Sequence, residues 1–349
     1  MLLVTGGAGF IGSHFVAHCL RTSNESVLNL DKLTYAGNVE NLQDVADDAR
    51  HTFIQGDIAD TTLVSRLLEQ YQPRAIINFA AESHVDRSIL DPNHFLQTNV
   101  VGTVNLLEAS RQYWSGLAAE ARQAFRFLHI STDEVYGSLT PAEAAFTEAR
   151  RYAPSTPYAA SKAAADHFVR AYHQTYGLPV ITTHCSNNYG PRQFPEKLIP
   201  LMIQRALNGQ SLPIYGDGQQ VRDWLFVNDH CAALGLILQS AIEQRTAGQT
   251  YHIGGQNEQT NQAVVHALCK ILDACQPRAD GQSYAQQIET VADRPGHDRR
   301  YAINANKLRD ELGWQASTDF QAGLQQTVAW YLAHPAWLAG KTATPYQYQ

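Results

Sequence analysis

The sequence predicts an α/β fold, a doubly wound parallel sheet with a smaller, mixed α/β lobe. Three observations carry this. Short, β-branched apolar runs alternate with longer stretches of helical period through the first half of the chain. A glycine-rich turn joins the first run to the first helical stretch. Beyond about residue 186 the rhythm breaks into crowded turn signals, Asn188-Tyr189-Gly190-Pro191, Tyr215-Gly216-Asp217-Gly218 and Ile253-Gly254-Gly255.

Leu2-Leu3-Val4-Thr5 reads as the first strand, followed by a helix from about Phe10 to Arg21. Val27-Leu28-Asn29-Leu30-Asp31 is the second strand. Similar runs recur at Thr52–Gln55, Ala75–Phe79, Phe125–Ser131 and Pro179–Cys185, with helical stretches at Leu63–Tyr71, Val100–Tyr113 and Tyr158–Tyr176. Strands that alternate with helices form βαβ units, and right-handed crossovers wind helices onto both faces of a parallel sheet. This reading gives a first unit of residues 1–186, with about 222–250 returning to it. Residues 187–221 and about 251–349 form the second lobe. Thr342–Gln349 lack an apolar pattern and are expected on the surface.

Composition narrows the function classes. Of 349 residues, 44% are apolar and 17% charged, which excludes a disordered chain. Lys and Arg number 26 against 33 Asp and Glu, so the net charge of −7 argues against a general nucleic-acid binder. No apolar run approaches the ~18 residues of a membrane span. The chain starts directly in a strand rather than a signal peptide, so a cytoplasmic protein without membrane or nucleic-acid partners is expected. Cys19, Cys185, Cys231, Cys269 and Cys275 are scattered, with no C-x-x-C pair, so they read as reduced thiols and no metal site is expected.

Gly6, Gly9 and Gly12 follow a G-x-x-G-x-x-G spacing where the first strand meets the first helix. The first glycine allows the tight turn, the second a close backbone approach to a pyrophosphate, and the third close packing of helix on strand. This is the phosphate turn of a Rossmann-type sheet. Asp31 ends the second strand 19 residues after Gly12, where a carboxylate accepts hydrogen bonds from an adenosine ribose. A carboxylate there repels a 2′-phosphate, so the expected cofactor is NAD rather than NADP, with neighbouring Lys32 as a counter-argument.

Tyr158 and Lys162 stand at i and i+4 of a helical stretch and so share one face. A nearby ammonium stabilises phenolate, so the expectation is a tyrosine of lowered pKa that serves as general base for a hydroxyl.

The chain carries, in order, T-G-G-A-G-F-I-G, D-K-L-T-Y-A-G-N, A-A-E-S-H-V-D-R-S, S-T-D-E-V-Y-G, Y-A-A-S-K, S-N-N-Y-G-P, F-P-E-K-L-I-P, R-D-W-L-F-V-x-D-H and R-P-G-H-D-R-R-Y. This set resembles the extended short-chain dehydrogenase/reductases that act on nucleotide sugars, and within them the dTDP-glucose 4,6-dehydratase family. The resemblance runs from residue 5 to residue 301. It implies a lyase that holds NAD tightly, oxidises carbon 4 of the sugar, eliminates water across carbons 5 and 6, and reduces carbon 6. Thr132-Asp133-Glu134 is the discriminating run, because epimerases of the superfamily generally lack an Asp-Glu pair there. A dehydratase needs an acid and a base, here Asp133 and Glu134, with Thr132 on the sugar. Adjacent carboxylates on a regular strand point to opposite faces, so the chain must leave strand geometry near Thr132.

The resemblance also implies cofactor contacts from Phe10, Ile11, Asp31, Lys32, Leu33, Thr34, Asp57, Ile58, Ala80, Ala81, Glu82, Ser83, Thr98, Tyr158, Lys162 and Asn188. For the nucleotide sugar it implies Ser83, His84, Thr132, Asn187, Lys197, Leu198, Pro213, Ile214, Tyr215, Arg222, Asn257, Asp293, Arg294, Pro295, Gly296 and His297. Arg222 and His297 are expected near the diphosphate, and Leu198 and Tyr215 around the base. Arg192-Gln193 departs from the family's pattern. The helical stretches Val100–Leu107 and Tyr158–Tyr176 imply a four-helix interface and a homodimer, as in the family. The competing readings are a UDP-sugar 4-epimerase or decarboxylase of the same superfamily and, from another class, a non-catalytic NAD-sensing module.

Overall fold

The computed structural model describes residues 1–243 and 246–341. The terminal stretch Thr342–Gln349, expected on the surface, lies outside the described residues. Six parallel strands, β1 (Leu2–Thr5), β2 (Val27–Asp31), β3 (His51–Gln55), β4 (Ala75–Asn78), β5 (Arg126–Thr132) and β6 (Val180–Cys185), follow the predicted runs to within about two residues. They were legible because both faces of a central parallel strand are covered, which demands continuous apolar runs. Along β1, Leu2 and Val4 face one core cluster and Leu3 the other. The first cluster gathers Phe15, Val16 and Leu20 of the Phe10–Thr22 helix with Leu234 and Ile237 of the Val227–Glu243 helix. The second gathers Val64 and Leu67 of the Thr61–Tyr71 helix with Leu106 and Leu107 of the Thr103–Gly116 helix.

A short strand β7 (Asn187–Tyr189) leaves the main sheet, and β8 (Leu212–Tyr215) and β9 (Val221–Phe226) follow. The chain then returns through the Val227–Glu243 helix to β10 (Thr250–Ile253), which pairs with β6. The main sheet has seven strands in the order β10-β6-β5-β4-β1-β2-β3. The winding reverses between β1 and β4, and ligands of doubly wound sheets bind outside the carboxyl ends of strands at such a switch.

The smaller lobe has two sheets. One is β11 (Glu258–Thr260) antiparallel to β9, with β7 parallel on its other side; the other is β12 (Ile288–Val291) beside β8. Its core gathers Ile199, Met202, Trp224, Phe226, Val264, Leu268, Phe320 and Leu324.

The helix predicted from Val100 begins differently. Leu96–Gly102 is a wide-turn π helix that runs directly into the Thr103–Gly116 helix. Such segments gather at functional sites, and this one brings Thr98 to the cleft. All five cysteines are free thiols, four of them buried. Among the described residues no helix is long and apolar enough to cross a membrane, and no group of side chains is arranged to hold a metal ion.

Candidate active site

One cleft opens at the carboxyl ends of β1, β2, β4, β5 and β6. Its dinucleotide half starts at the glycine turn. Gly9 caps the Phe10–Thr22 helix without a side-chain hydrogen bond, and no acid stands in the first turn. The first amides of that helix therefore open toward the cleft, where the helix dipole favours an anion. Gly6 has φ +70°, and a Cβ there would come within 2.7 Å of the Ala80 nitrogen. A Cβ at Gly12 would collide with the Gly6 carbonyl. Both glycines are thus required by close backbone packing, and the open amides of the helix fit a pyrophosphate.

Asp31 is buried at the end of β2. Its Oδ2 accepts from Ala8 N at 2.9 Å and its Oδ1 from Leu33 N at 2.8 Å. Burial pushes this carboxyl up, and the two amides work against that. Lys32 Nζ lies 2.6 Å from Asp57 Oδ2, so the one nearby cation that weakened the NAD assignment is held by a carboxylate.

The other half is built on the end of β5. The strand stops at Thr132, and Asp133–Tyr136 forms a single 3-10 turn closed by Gly137 at φ +78°. Thr132 Oγ1 accepts from Glu134 N at 3.3 Å. This departure from the strand brings Asp133 and Glu134 to the same cleft that Tyr158 and Lys162 line. Burial first, then the Glu134 charge and then Asp223 raise the Asp133 carboxyl well above the usual carboxylate range. Its Oδ2 has no hydrogen-bond partner. Burial also raises Glu134, but Lys197, Arg294 and Arg222 face it and oppose that rise.

Tyr158 and Lys162 sit on the Pro157–Tyr176 helix, whose N-cap Thr156 accepts from Ala159 N and whose first residue is Pro157. The expected drop in the tyrosine pKa is not found. Burial and then the Glu134 charge raise Tyr158 well above 10, and only a hydrogen bond with the Thr132 side chain opposes them. The Lys162 ammonium donates to the Ile130 carbonyl at 2.7 Å.

The family model described as GDP-mannose 4,6 dehydratase matches residues 3–327. A dTDP-glucose 4,6-dehydratase of Xanthomonas campestris pv. campestris is 58% identical over 338 residues, 97% of this chain and 95% of its own. The chain belongs to the dTDP-glucose 4,6-dehydratase family. Among solved structures, a dTDP-glucose 4,6-dehydratase of Streptomyces venezuelae with NAD and TYD bound superposes with a TM-score of 0.86 at 45% identity, covering 96% of this chain and 98% of its own. A UDP-glucose 4-epimerase of Thermotoga maritima with UDP-glucose shares the fold at TM-score 0.82 but only 27% identity, covering 96% and 99%.

Measured against the residues that the dehydratase resemblance implies, the cleft brings together Gly6, Gly9, Phe10, Ile11, Gly12, Asp31, Lys32, Thr34, Asp57, Ile58, Ala80, Ala81, Glu82, Ser83, Thr98, Asn187, Asn188 and Lys197 with the five catalytic candidates. Leu33 instead packs its side chain against the first core and contributes its amide to Asp31. His84 lies behind Ser83, where its Nδ1 accepts from Arg87 N at 3.3 Å and its Nε2 is 3.7 Å from Glu196. Lys197 Nζ donates to the Ser83 carbonyl at 2.6 Å.

The remaining nucleotide-sugar candidates lie outside this cleft, on the small lobe. Arg222 is buried over the Tyr301 ring, with Nη1 on the Val221 carbonyl at 2.8 Å and Nη2 on the Asp298 carbonyl at 3.0 Å. His297 Nδ1 meets Asp293 Oδ1 at 2.6 Å and its ring stands edge-on to Tyr215. Arg294 pairs with Asp86 at 3.0 Å, bridging small lobe and main unit. Pro213 and Ile214 lie on β8, Leu198 begins the Leu198–Leu207 helix, and Asn257 donates its amide to Asp223 at 2.6 Å. Gly296, at φ +65°, turns the loop of Pro295.

Sequence reasoning missed Asn99, Gln193, Phe194 and Glu196. Asn99 Oδ1 accepts from Glu82 N at 2.8 Å, and its Nδ2 donates to the Glu82 carbonyl at 3.0 Å and to Ser161 Oγ at 2.9 Å, tying the cleft wall to the helix of Tyr158. Gln193, Phe194 and Glu196 line the cleft. The departure Arg192-Gln193 therefore falls at the site itself, with Arg192 at φ +66° and paired with Asp44. The one available signal was the acid inside F-P-E-K-L-I-P.

Proposed function

We propose that this chain converts dTDP-glucose to dTDP-4-keto-6-deoxyglucose with a resident NAD. The single observation that carries the reading is the Asp133-Glu134 turn, which opens into the same cleft as Tyr158 and Lys162. Relatives that carry the dTDP-glucose 4,6-dehydratase name at up to 58% identity support the substrate, as does the TYD-bound neighbour. The 4-epimerase alternative is not favoured, because a single-carbon redox cycle leaves the acid-base pair without a task.

The glycine turn and the first amides of the Phe10–Thr22 helix receive the pyrophosphate of NAD, and Asp31 takes its adenosine ribose. Bound NAD supplies the redox couple that is reduced while carbon 4 is oxidised and restored when carbon 6 is reduced. Tyr158 acts as base only once it has lost its own proton; as phenolate, stabilised by the Lys162 ammonium on the same helix face, its Oη takes the proton of the carbon-4 hydroxyl, which the Thr132 hydroxyl orients. The ketone acidifies the hydrogen on carbon 5, and the Glu134 carboxylate removes it. Asp133, kept protonated by burial and by Glu134, donates its proton to the departing carbon-6 hydroxyl. A proton returns to carbon 5 as carbon 6 is reduced, and no net redox occurs.

The small-lobe segments supply the sugar-nucleotide side, with the Arg222 and Arg294 cations set around Glu134. The chain works as a cytoplasmic homodimer. Val101, Phe168 and Tyr176 are 38–50% exposed on the two helical stretches expected to pair, which supports the dimer. Light scattering at micromolar concentration checks it, and a monomer mass overturns it. Mass spectrometry of parallel incubations with dTDP-glucose and UDP-glucose tests the function. A product lighter by one water from dTDP-glucose is expected, and loss of water from UDP-glucose but not from dTDP-glucose, or from neither, overturns the reading.

A further inference from the structure

One buried cluster has no part in the steps above. Asp166 stands one helical turn beyond Lys162, and both are about 4% exposed. The Asp166 carboxylate receives the Ser131 hydroxyl at 2.9 Å and His184 Nε2 at 2.9 Å, both on Oδ2, and His129 Nε2 lies 3.3 Å from its other oxygen without a hydrogen bond between them. Both histidines are wholly buried. Asn78 fixes the ring of His129: its Oδ1 accepts from Thr5 at 2.7 Å, which leaves Nδ2 to donate to His129 Nδ1 at 3.3 Å. His129 Nε2, on the side of Asp166, must then carry the ring proton. Behind His184, the Tyr136 hydroxyl bonds Nδ1 at 3.1 Å and His252 Nε2 at 2.8 Å.

This carboxylate is held below the floor of the cleft by the Ser131 hydroxyl and His184. Lys162 is the cation beside it. Its Nζ is fixed to the carbonyl of Ile130, and the next residue of β5, Ser131, is bonded to Asp166. Cation and anion are thus registered on successive residues of one strand. An ammonium buried with only a carbonyl for a partner sheds its proton.

We propose that Asp166 is a positioning residue for the Tyr158–Lys162 pair, the buried counter-charge that keeps the Lys162 ammonium protonated at the cleft floor. The other groups that face Lys162 do not supply that charge. On its own helix Tyr158 is a buried phenol, on β5 His129 is held neutral at about 4 by burial and then by Lys162 itself, and on β6 the Cys185 thiol is pushed up to about 12 by burial. Asp133 and Glu134 of the 3-10 turn act on Tyr158. Burial pulls Lys162 down, and Asp166 heads the groups that oppose it. Burial also works against the Asp166 carboxylate, but its histidine partners outweigh that and hold it far below the usual range.

The inference rests on the dehydratase reading only in naming Tyr158 and Lys162 as the reacting pair. Its test reads the lysine directly. The chain has six lysines, so carbon-13 NMR of ε-labelled lysine in the full chain resolves them, with Lys162→Arg to assign the signal. Lys162 is expected to be charged at neutral pH. In Asp166→Asn its titration is expected to fall by about one pH unit or more, a tenfold loss of proton affinity, and Asp166→Glu is expected to restore it. An unmoved Lys162 titration in Asp166→Asn overturns the proposal. So does a wild-type Lys162 already neutral at neutral pH, which needs no variant to fold. An active site that turns out to make another product leaves these titrations readable.

Discussion

Two aspartates end two strands of one sheet and are put to opposite uses. Asp31 closes β2 and Asp133 follows β5, and both are buried. Burial alone pushes both carboxyls up. Asp31 meets two backbone amides, from Ala8 and Leu33, and these favour its charged form. Asp133 meets a second carboxylate and leaves Oδ2 without a donor. The same residue type is therefore a hydrogen-bond acceptor for a ribose at one strand end and a proton donor at the other. The local backbone decides which. After β2 the chain turns its amides back on the carboxylate, and after β5 the 3-10 turn spends its amide on the Thr132 side chain instead.

The largest effect is expected from neither aspartate. Tyr158→Phe should abolish both cofactor reduction and product, because the phenol handles the first proton. Asp133→Asn and Glu134→Gln should lower product formation by roughly 10²–10⁴, the usual contribution of a positioned acid or base, while substrate still reduces the bound cofactor. Stopped-flow absorbance of the nicotinamide, read beside product ketone, separates the two outcomes. If either carboxyl variant turns over normally, the contrast between the strand ends has no catalytic meaning.

The pH profile sharpens the same contrast. Because Asp133 is raised, its acid form is present at neutral pH and lost as pH rises, which gives a falling alkaline limb. Glu134 must be ionised, so activity also falls as pH drops. Both limbs report the coupled pair rather than single residues, and Asp133→Asn should flatten the alkaline one.

At the other strand end, Asp31→Asn should weaken NAD binding about 10- to 100-fold, as expected for hydrogen bonds to a charged group worth about 1.5–3 kcal/mol. Fluorescence titration of the apoprotein measures it. The smallest effect is expected from Lys32→Ala. Its partner Asp57 is 30% exposed and Lys32 itself 49%. Stability should change by no more than about 1 kcal/mol in thermal unfolding, and NADP should bind no worse. Weakened NADP binding would mean that the cation was free for a 2′-phosphate and not held by Asp57.

What could be read from the sequence follows the physics of the two halves. The main-sheet strands were legible because burial on both faces writes itself as unbroken apolar runs, and the glycine turn because no side chain fits there. The escape of Asp133 and Glu134 from strand geometry was inferable, since two adjacent acids cannot otherwise share a cleft. The state of Tyr158 was not. An i, i+4 spacing places a lysine on the same helix face, but Lys162 is drawn to the Ile130 carbonyl and burial dominates the phenol. Arg222 was legible as a cation, not as one whose Nη1 and Nη2 go to carbonyls of the chain itself. The Leu96–Gly102 π helix has no period of its own, so Asn99 gave no signal. Glu196 lay in plain view within a quoted run, but only the fold shows that it lines the cleft.

The proton on Asp133 can be observed without turnover. Infrared difference spectroscopy of wild type against Asp133→Asn at neutral pH, each with cofactor bound, reads the C=O stretch of a protonated carboxyl. The contrast between the strand ends predicts a protonated-carboxyl band that disappears in Asp133→Asn and persists in Asp31→Asn. A wild-type spectrum whose band is unaffected by Asp133→Asn, or one that is lost on changing Asp31 instead, would contradict it.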